Sequence, residues 1–366
     1  MNLRLSRLGR AATLVLAGLS VTLWQGHIAG QAPQPPQPRG PRGPAYTLTK
    51  VTEDFYRFGN GVWFGAFLVT PAGIILIDPI SVDLATWLKG ELTTRFPGVP
   101  VRYVIYSHSH WDHIEGGGIF ADTAQFIAQE GVLKNMDGRF PHMPGDMNDR
   151  NNNGQFELEE ITAPGTAHPG VCGMPASFFQ SHDRNHDGHM TPAELYADVH
   201  RPDIVYSERM QLTLGGKTVE LIFPGKNHAD DGTVVLIPSE RVLFSADFPA
   251  DALVRGSMRS LPSACGAFDS HPLADWIKSY KLIEGLDFDI LAQGHGTVMF
   301  KKSDVTEGRQ FFEDLVAEVS AGMSQGKSLA ELKQSILLEK YKDWGGYQRL
   351  REDVIEAAYI NLKTYR

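Results

Sequence analysis

Directly after the apolar run Val104-Ile105-Tyr106 the chain reads Ser107-His108-Ser109-His110-Trp111-Asp112-His113. Three imidazoles and a carboxylate crowd into one short stretch just past the end of a buried strand, and these are the usual ligands of zinc. Alternate residues of an extended segment point the same way, so His108 and His110 can reach one metal together. Asp112 and His113, where the chain turns, can reach a second. The competing reading is a polar turn with solvated histidines, but metal-type ligands at this density seldom arise by accident.

This spacing resembles the H-x-H-x-D-H signature of the metallo-β-lactamase superfamily. The resemblance covers residues 46–140 and 201–300 and implies further ligands in a set order. His228 follows a strand and a Pro-Gly in Phe223-Pro224-Gly225-Lys226-Asn227-His228. Asp247 ends Val242-Leu243-Phe244-Ser245-Ala246-Asp247, and His295 follows Ile290-Leu291-Ala292-Gln293-Gly294. A lone Asp or His of this kind is more often a satisfied core residue; the ordered set is the signal. The family implies an α/β fold, an αββα sandwich with two metals at one edge of its packed sheets. It implies that His108, His110 and His228 hold one zinc, that Asp112, His113 and His295 hold the other, and that Asp247 bridges them. Two such ions sit about 3.5–4 Å apart and share a water whose pKa falls to roughly 7, which makes a hydroxide nucleophile at neutral pH. Asp112 is then the catalytic residue that orients the nucleophile and shuttles a proton.

The implied chemistry is hydrolysis of an acyl bond (lactam, lactone, thioester or ester) in a small substrate, with phosphoester cleavage also open. Lys226-Asn227-His228-Ala229-Asp230-Asp231-Gly232 stands where many β-lactamases and glyoxalases of the family carry Gly-His-Thr-Pro-Gly. Asp247 occupies the place where some β-lactamases carry Cys, which resembles the general hydrolase branch and also the third β-lactamase subclass. A dedicated β-lactamase is therefore one alternative. A calcium-dependent binding protein on a metallohydrolase scaffold is another, and an iron oxidoreductase a third.

Between the two strand-rich halves, residues 141–200 have a different character. Six of the chain's thirteen histidines fall here, and strand periodicity is absent. Asp149-Arg150-Asn151-Asn152-Asn153-Gly154-Gln155-Phe156-Glu157-Leu158-Glu159-Glu160 and Asp183-Arg184-Asn185-His186-Asp187-Gly188-His189-Met190-Thr191-Pro192-Ala193-Glu194 both have the calcium-loop pattern of an EF-hand. The candidate ligands are Asp149, Asn151, Asn153, Gln155 and Glu160 in the first loop, and Asp183, Asn185, Asp187, His189 and Glu194 in the second. Phe156 and Met190 stand at the eighth positions, through which such loops pair. Up to two calcium ions are expected, the Asn-rich first loop binding more weakly, in a structural role between truncated helices. The six histidines of this insertion are expected to be solvated.

Elsewhere the pattern is α/β. Strands are predicted over 55–58, 62–69, 74–77, 101–106, 123–128, 211–214, 217–222, 233–237, 241–245 and 288–292, with helices over 83–96, 131–136 and 273–284. Residues 301–366 turn helical, with a capping box at Ser328-Leu329-Ala330-Glu331 opening a helix to about Tyr341.

Residues 1–32 read as a secretory signal peptide: Arg4, Arg7 and Arg10, then an apolar run too short for a comfortable membrane span, then small residues. A Pro-rich linker fills 33–45. The mature protein is expected to be periplasmic or secreted, with no stable membrane anchor after cleavage. Of the two cysteines, Cys172 and Cys265 could pair there, though they lie in different modules. A net charge of −9 with no basic face argues against nucleic acid, leaving a small-molecule substrate as the expected partner. Oligomeric state is not readable from one chain.

Overall fold

The computed structural model describes residues 46–136, 149, 151–162, 176–249, 259–262 and 271–365. The signal-peptide and linker expectations, and both cysteines, lie outside these. Among the described residues no helix is long and apolar enough to cross a membrane.

Two sheets carry the fold. The first is built in chain order from β1 (Thr47–Lys50), β2 (Phe55–Gly59), β3 (Phe64–Thr70), β4 (Gly73–Ile77), β5 (Val101–Ile105), β6 (Gln125–Gln129) and β7 (Ile204–Tyr206). Its hairpin-linked strands β1 to β4 run antiparallel, and β4 to β7 run parallel. The helix crossing from β4 to β5 is α1 (Val82–Arg95), capped by the Ser81 hydroxyl, which accepts from Leu84 N. After β5 come the single turn α2 (Trp111–Ile114) and, beyond β6, α3 (Glu130–Asn135). The second sheet is ordered β13-β12-β11-β10-β9-β8, from β8 (Arg209–Leu214), β9 (Lys217–Ile222), β10 (Val234–Ile237), β11 (Val242–Ser245), β12 (Ile290–Gln293) and β13 (Phe300–Lys301). Only its β11–β12 pair is parallel.

Alternation along these strands decides the layers. Ala66, Leu68, Ile75, Ile77, Ile105 and Ile127 of the first sheet meet Val219, Leu221, Val235, Ile237, Val242 and Phe244 of the second in one buried cluster between the sheets. The opposite faces are covered by helices. Phe67, Leu76 and Val104 pack with Leu84 and Leu88 of α1. Ile222, Leu243 and Leu291 pack with α7 (Leu273–Glu284), α8 (Lys302–Ser324), α9 (Leu329–Ser335) and α10 (Tyr347–Thr364). The order is helix, sheet, sheet, helix, as the resemblance implied.

The insertion contributes α4 (Leu158–Thr162), α5 (Ala176–His182) and α6 (Pro192–Leu195), all short. Phe156 and Met190 exchange both backbone hydrogen bonds at 2.9 Å in an isolated antiparallel bridge. Both are fully buried and join the helical side of the first sheet.

Three expectations differ from the structure. The helix expected over 328–341 stops at Ser335, because Ile336 turns extended and Leu338 adopts a left-handed φ of 48°. That break lets Ile336, Leu338 and Tyr341 bury against α8 and α10, and the Arg351 guanidinium donates to the freed carbonyls of Lys333 and Ile336. Val62 and Trp63 lie in the β2–β3 connection rather than in a strand. β1, β7 and β13 are short and were not expected; β1 and β7 are the edges of their sheet and β13 is an edge of the other.

Trp276, fully buried between Phe248 and Phe312, ties α7 to α8. Replacing Trp276 with Ala is expected to cost about 3–5 kcal/mol of unfolding free energy, read as a fall in the urea midpoint; an unchanged midpoint would show that the helical layer is not anchored here.

Candidate metal centre

The residues predicted to hold zinc all follow the C-terminal ends of strands. His108 and His110 follow β5, His228 follows β9, Asp247 follows β11 and His295 follows β12. The turn α2 begins at Trp111 and swings Asp112 and His113 back toward the sheet edge. Rigid strands thus hold groups that are nearly 190 residues apart in sequence.

The structure brings all seven together. His108, His110, His228 and Asp247 form one group, Asp112, His113 and His295 a second, with the ligand atoms of each group within 4.8 Å of one another. His110 Nδ1 faces His228 Nε2 at 3.0 Å, and His113 Nε2 faces His295 Nε2 at 3.2 Å. Asp247 joins the groups. Its Oδ1 lies 2.8 Å from both His113 Nε2 and His295 Nε2, while Oδ2 lies 2.9 Å from His228 Nε2 and 3.5 Å from His108 Nε2. Asp112 Oδ2 stands 3.6 Å from His113 Nε2 and 3.5 Å from His295 Nε2.

The first group is buried, with its side chains at most 5% exposed, whereas Asp112 and His295 are 14% and 26% exposed. The centre therefore opens on the Asp112–His295 side. Burial alone would push the Asp247 carboxyl up, but the surrounding imidazoles, His113 first, hold it well below the usual range. Burial pushes His110 well below an ordinary histidine, and the neighbouring imidazoles add to the shift. Burial opposes charge on His113 as well, yet Asp247 and Asp112 outweigh it and raise that group. Imidazole nitrogens turned toward one another around a carboxylate, with the buried His108 Nε2 making no hydrogen bond among the described residues, suit cations of the zinc type.

Several contributors escaped the sequence reading. Asp78, at the end of β4, accepts from Ser107 N at 2.8 Å through Oδ1 and lies 3.2 Å from His113 Nδ1 through Oδ2. It therefore orients His113 from behind. The fully buried Asp231 accepts from Ser109 N at 3.2 Å and Asn135 Nδ2 at 2.9 Å, pinning the turn between His108 and His110. Gly294 is required by crowding: a Cβ there would lie 2.8 Å from both His113 Cε1 and Ala246 Cα. In the sequence, Asp78-Pro79 stands directly after the strand predicted over 74–77 and signals only where that strand ends.

The insertion touches this centre. Phe178 packs on Trp111 at 4.5 Å between ring centroids, and the Tyr196 hydroxyl donates to the Ser109 carbonyl at 3.2 Å. His182 corrects the expectation of solvated histidines: it is only 5% exposed, wedged against Phe178 and Trp111, with Nε2 3.8 Å from Glu115. It sits on the apolar face of α5, which a count of polar residues does not reveal.

The two calcium-type loops have matching backbones. Asn152 and His186, at their fourth positions, have φ of 56° and 58°, and Gly154 and Gly188 have 84° and 86°. Asp149 accepts from Asn153 N and Gly154 N, and Asp183 accepts from Asp187 N and Gly188 N. Asn151, Asn153, Asn185 and Asp187 accept from backbone N–H groups within their own loops. Glu160 receives Asn151 N and Glu194 receives Asn185 N across the loops. Gln155 and His189 bond to each other, Nε2 to Nδ1 at 2.9 Å, and so link one loop to the next. Among the described residues, only the two groups joined by Asp247 bring three or more His, Cys, Asp or Glu ligand atoms within 4.8 Å of one another.

The sequence model of the metallo-beta-lactamase superfamily matches residues 66–295, which is more than half of the chain and contains every residue of this centre. The chain belongs to the metallo-β-lactamase superfamily. Within known proteins it is 23% identical over 237 residues to the 2,4-dinitroanisole O-demethylase subunit alpha of Nocardioides sp. strain JS1661. That alignment covers 64% of this chain and 53% of the relative, so the chain spans about half the length of that protein. Among solved structures, the stereoselective inverting sec-alkylsulfatase Pisa1 from Pseudomonas sp. superposes with a TM-score of 0.58 at 16% identity, over 87% of this chain and 50% of that one. A double mutant of the same sulfatase gives 0.59 at 15%, with the same coverage. These likenesses are of fold.

Replacing Asp78 with Asn keeps its shape but removes the charge behind His113. The expected result is about 10–100-fold weaker binding of added zinc, measured by competition with a chromogenic chelator. Wild-type affinity in Asp78→Asn would mean that Asp78 only tethers the backbone.

Proposed function

We propose that this superfamily member is a secreted dinuclear zinc hydrolase that cleaves an acyl bond of a small substrate. The observation that carries the reading is Asp247, whose two carboxylate oxygens face different imidazole groups. His108, His110 and His228 would hold one ion and Asp112, His113 and His295 the other. Zinc, when bound there, lowers the pKa of water to roughly 7 and polarises the bond to be cut. Asp112, on the open side and within 3.6 Å of two ring nitrogens, is placed to accept a proton from the attacking water and return it to the leaving group.

The wall of the opening supports a second reading of the substrate. Trp63 and Trp111 meet edge to face at 6.0 Å beside His295 and Asp112, and a flat apolar group would stack there. The relative's name refers to demethylation of an aryl ether, and the fold neighbours are named for cleaving alkyl sulfates. An aryl ether or a sulfate ester therefore belongs in the same substrate panel as lactams, lactones and thioesters.

We also infer calcium in the paired loops of the insertion. Support comes from two loops of the same pattern, matching backbones and the Phe156–Met190 bridge. Because Phe178, His182 and Tyr196 touch the turn around Trp111, calcium in this module would brace the metal-binding turn.

The expected outcomes are concrete. Elemental analysis of zinc-saturated protein should give two ions per chain, His110→Ala should lose metal, and turnover on the responding substrate should fall by at least about 100-fold in that variant. A zinc-saturated protein that holds no metal at this centre ends the proposal. Calcium removal should lower the melting temperature and the activity together, and a melting curve unmoved by calcium would remove the bracing role.

A further inference from the structure

Arg57, in the middle of β2, is a buried cation, only 5% exposed. Among the described residues no carboxylate forms an ion pair with it. Burial lowers its pKa to about 10, so it remains charged at neutral pH. Its planar face stacks on Phe64, with Cζ 3.8 Å from the ring centroid. Its donors go instead to backbone. Nε and Nη2 donate to the Gln293 carbonyl at 3.0 and 2.6 Å, and Nη2 also donates to the Gly296 carbonyl at 2.6 Å.

These two carbonyls flank Gly294-His295. The guanidinium thus straddles the residue that completes the Asp112–His113 group, from a strand residue 236 positions before Gln293. The same loop is tied to the start of β3 by Phe64 N to Gly294 O at 2.7 Å, and to the β2–β3 connection by Gly296 N to Val62 O at 3.1 Å. Those backbone bonds fix its height on the sheet edge. Among the described residues Arg57 is the side chain that donates to carbonyls on both sides of His295, and its planar fork loses less freedom per bond than a lysine would. An unpaired buried charge is costly, and carbonyls left without their donor in a dry site are costly too. Neither cost is needed to complete a sheet, whose strands are already paired on both sides of Arg57.

We propose that Arg57 is a positioning residue for the second metal, holding the 293–296 loop so that the His295 ring meets His113 and Asp247. This rests on the two-metal reading above.

Zinc titration of the full chain tests it, with stoichiometry and stepwise affinity as the readout. Wild type should take up two zinc ions. Arg57→Met, which keeps the length and packing but removes every donor, should keep the first ion and bind the second about 10–100-fold more weakly. Arg57→Lys keeps the charge without the fork and should fall between, and it carries the test if Arg57→Met does not fold. Phe55→Leu, in the inter-sheet core at the start of the same strand, should lower the melting temperature and leave both affinities unchanged. Two undisturbed affinities in the Arg57 variants would overturn the proposal, as would equal weakening of both ions. A wild type that binds fewer than two zincs would overturn the two-metal reading itself, and this proposal with it.

Discussion

A carboxylate buried among four imidazoles is an arrangement that no fold keeps for stability alone. Asp247 is itself buried and lies within 3.5 Å of ring nitrogens from His113, His295, His228 and His108. Desolvating these groups is expensive, and paired nitrogens at 3.0 and 3.2 Å can share at most one proton each. The constellation makes electrostatic sense around positive charge, and the rest of the molecule can be understood as what holds it still.

That holding is done by the sandwich. The inter-sheet cluster clamps β5, β11 and β12 at their middles, so their C-terminal ends cannot drift apart. Behind the ligands stands a further shell: Asp78 on His113, Asp231 on the His108–His110 turn, and a carbonyl pair that leads from His295 to Arg57. Because these supports come from β2, from the end of β4 and from the segment after β9, the complete centre draws on both sheets.

The insertion and the C-terminal helices play different parts. α8, α9 and α10 extend the helical layer over the second sheet and bury their own apolar faces there. The insertion instead merges Phe156, Phe178 and Met190 into the layer over the first sheet and sends Phe178, His182 and Tyr196 to the turn that bears Trp111. One extension is a continuation of the core. The other forms part of the wall of the centre.

Local chemistry was legible from the chain alone. His108 to His113 after an apolar strand, and His228, Asp247 and His295 in order after later strands, named every member of the centre, because liganding needs particular atoms and strand ends are marked by where apolar runs stop. The alternating strands and the amphipathic helices were equally visible, since each is written with a short period. What the chain could not disclose was anything set by contacts distant in sequence. Asp78 looks like a strand terminator until His113 is seen behind it, Arg57 like an ordinary strand residue until the 293–296 loop closes over it, and His182 like one more polar residue until Trp111 covers it. Ser328 to Tyr341 has the pattern of one helix, and only the burial of Ile336, Leu338 and Tyr341 breaks it. Residue type dictates which chemistry is possible; packing alone decides which side chains stand close enough to perform it.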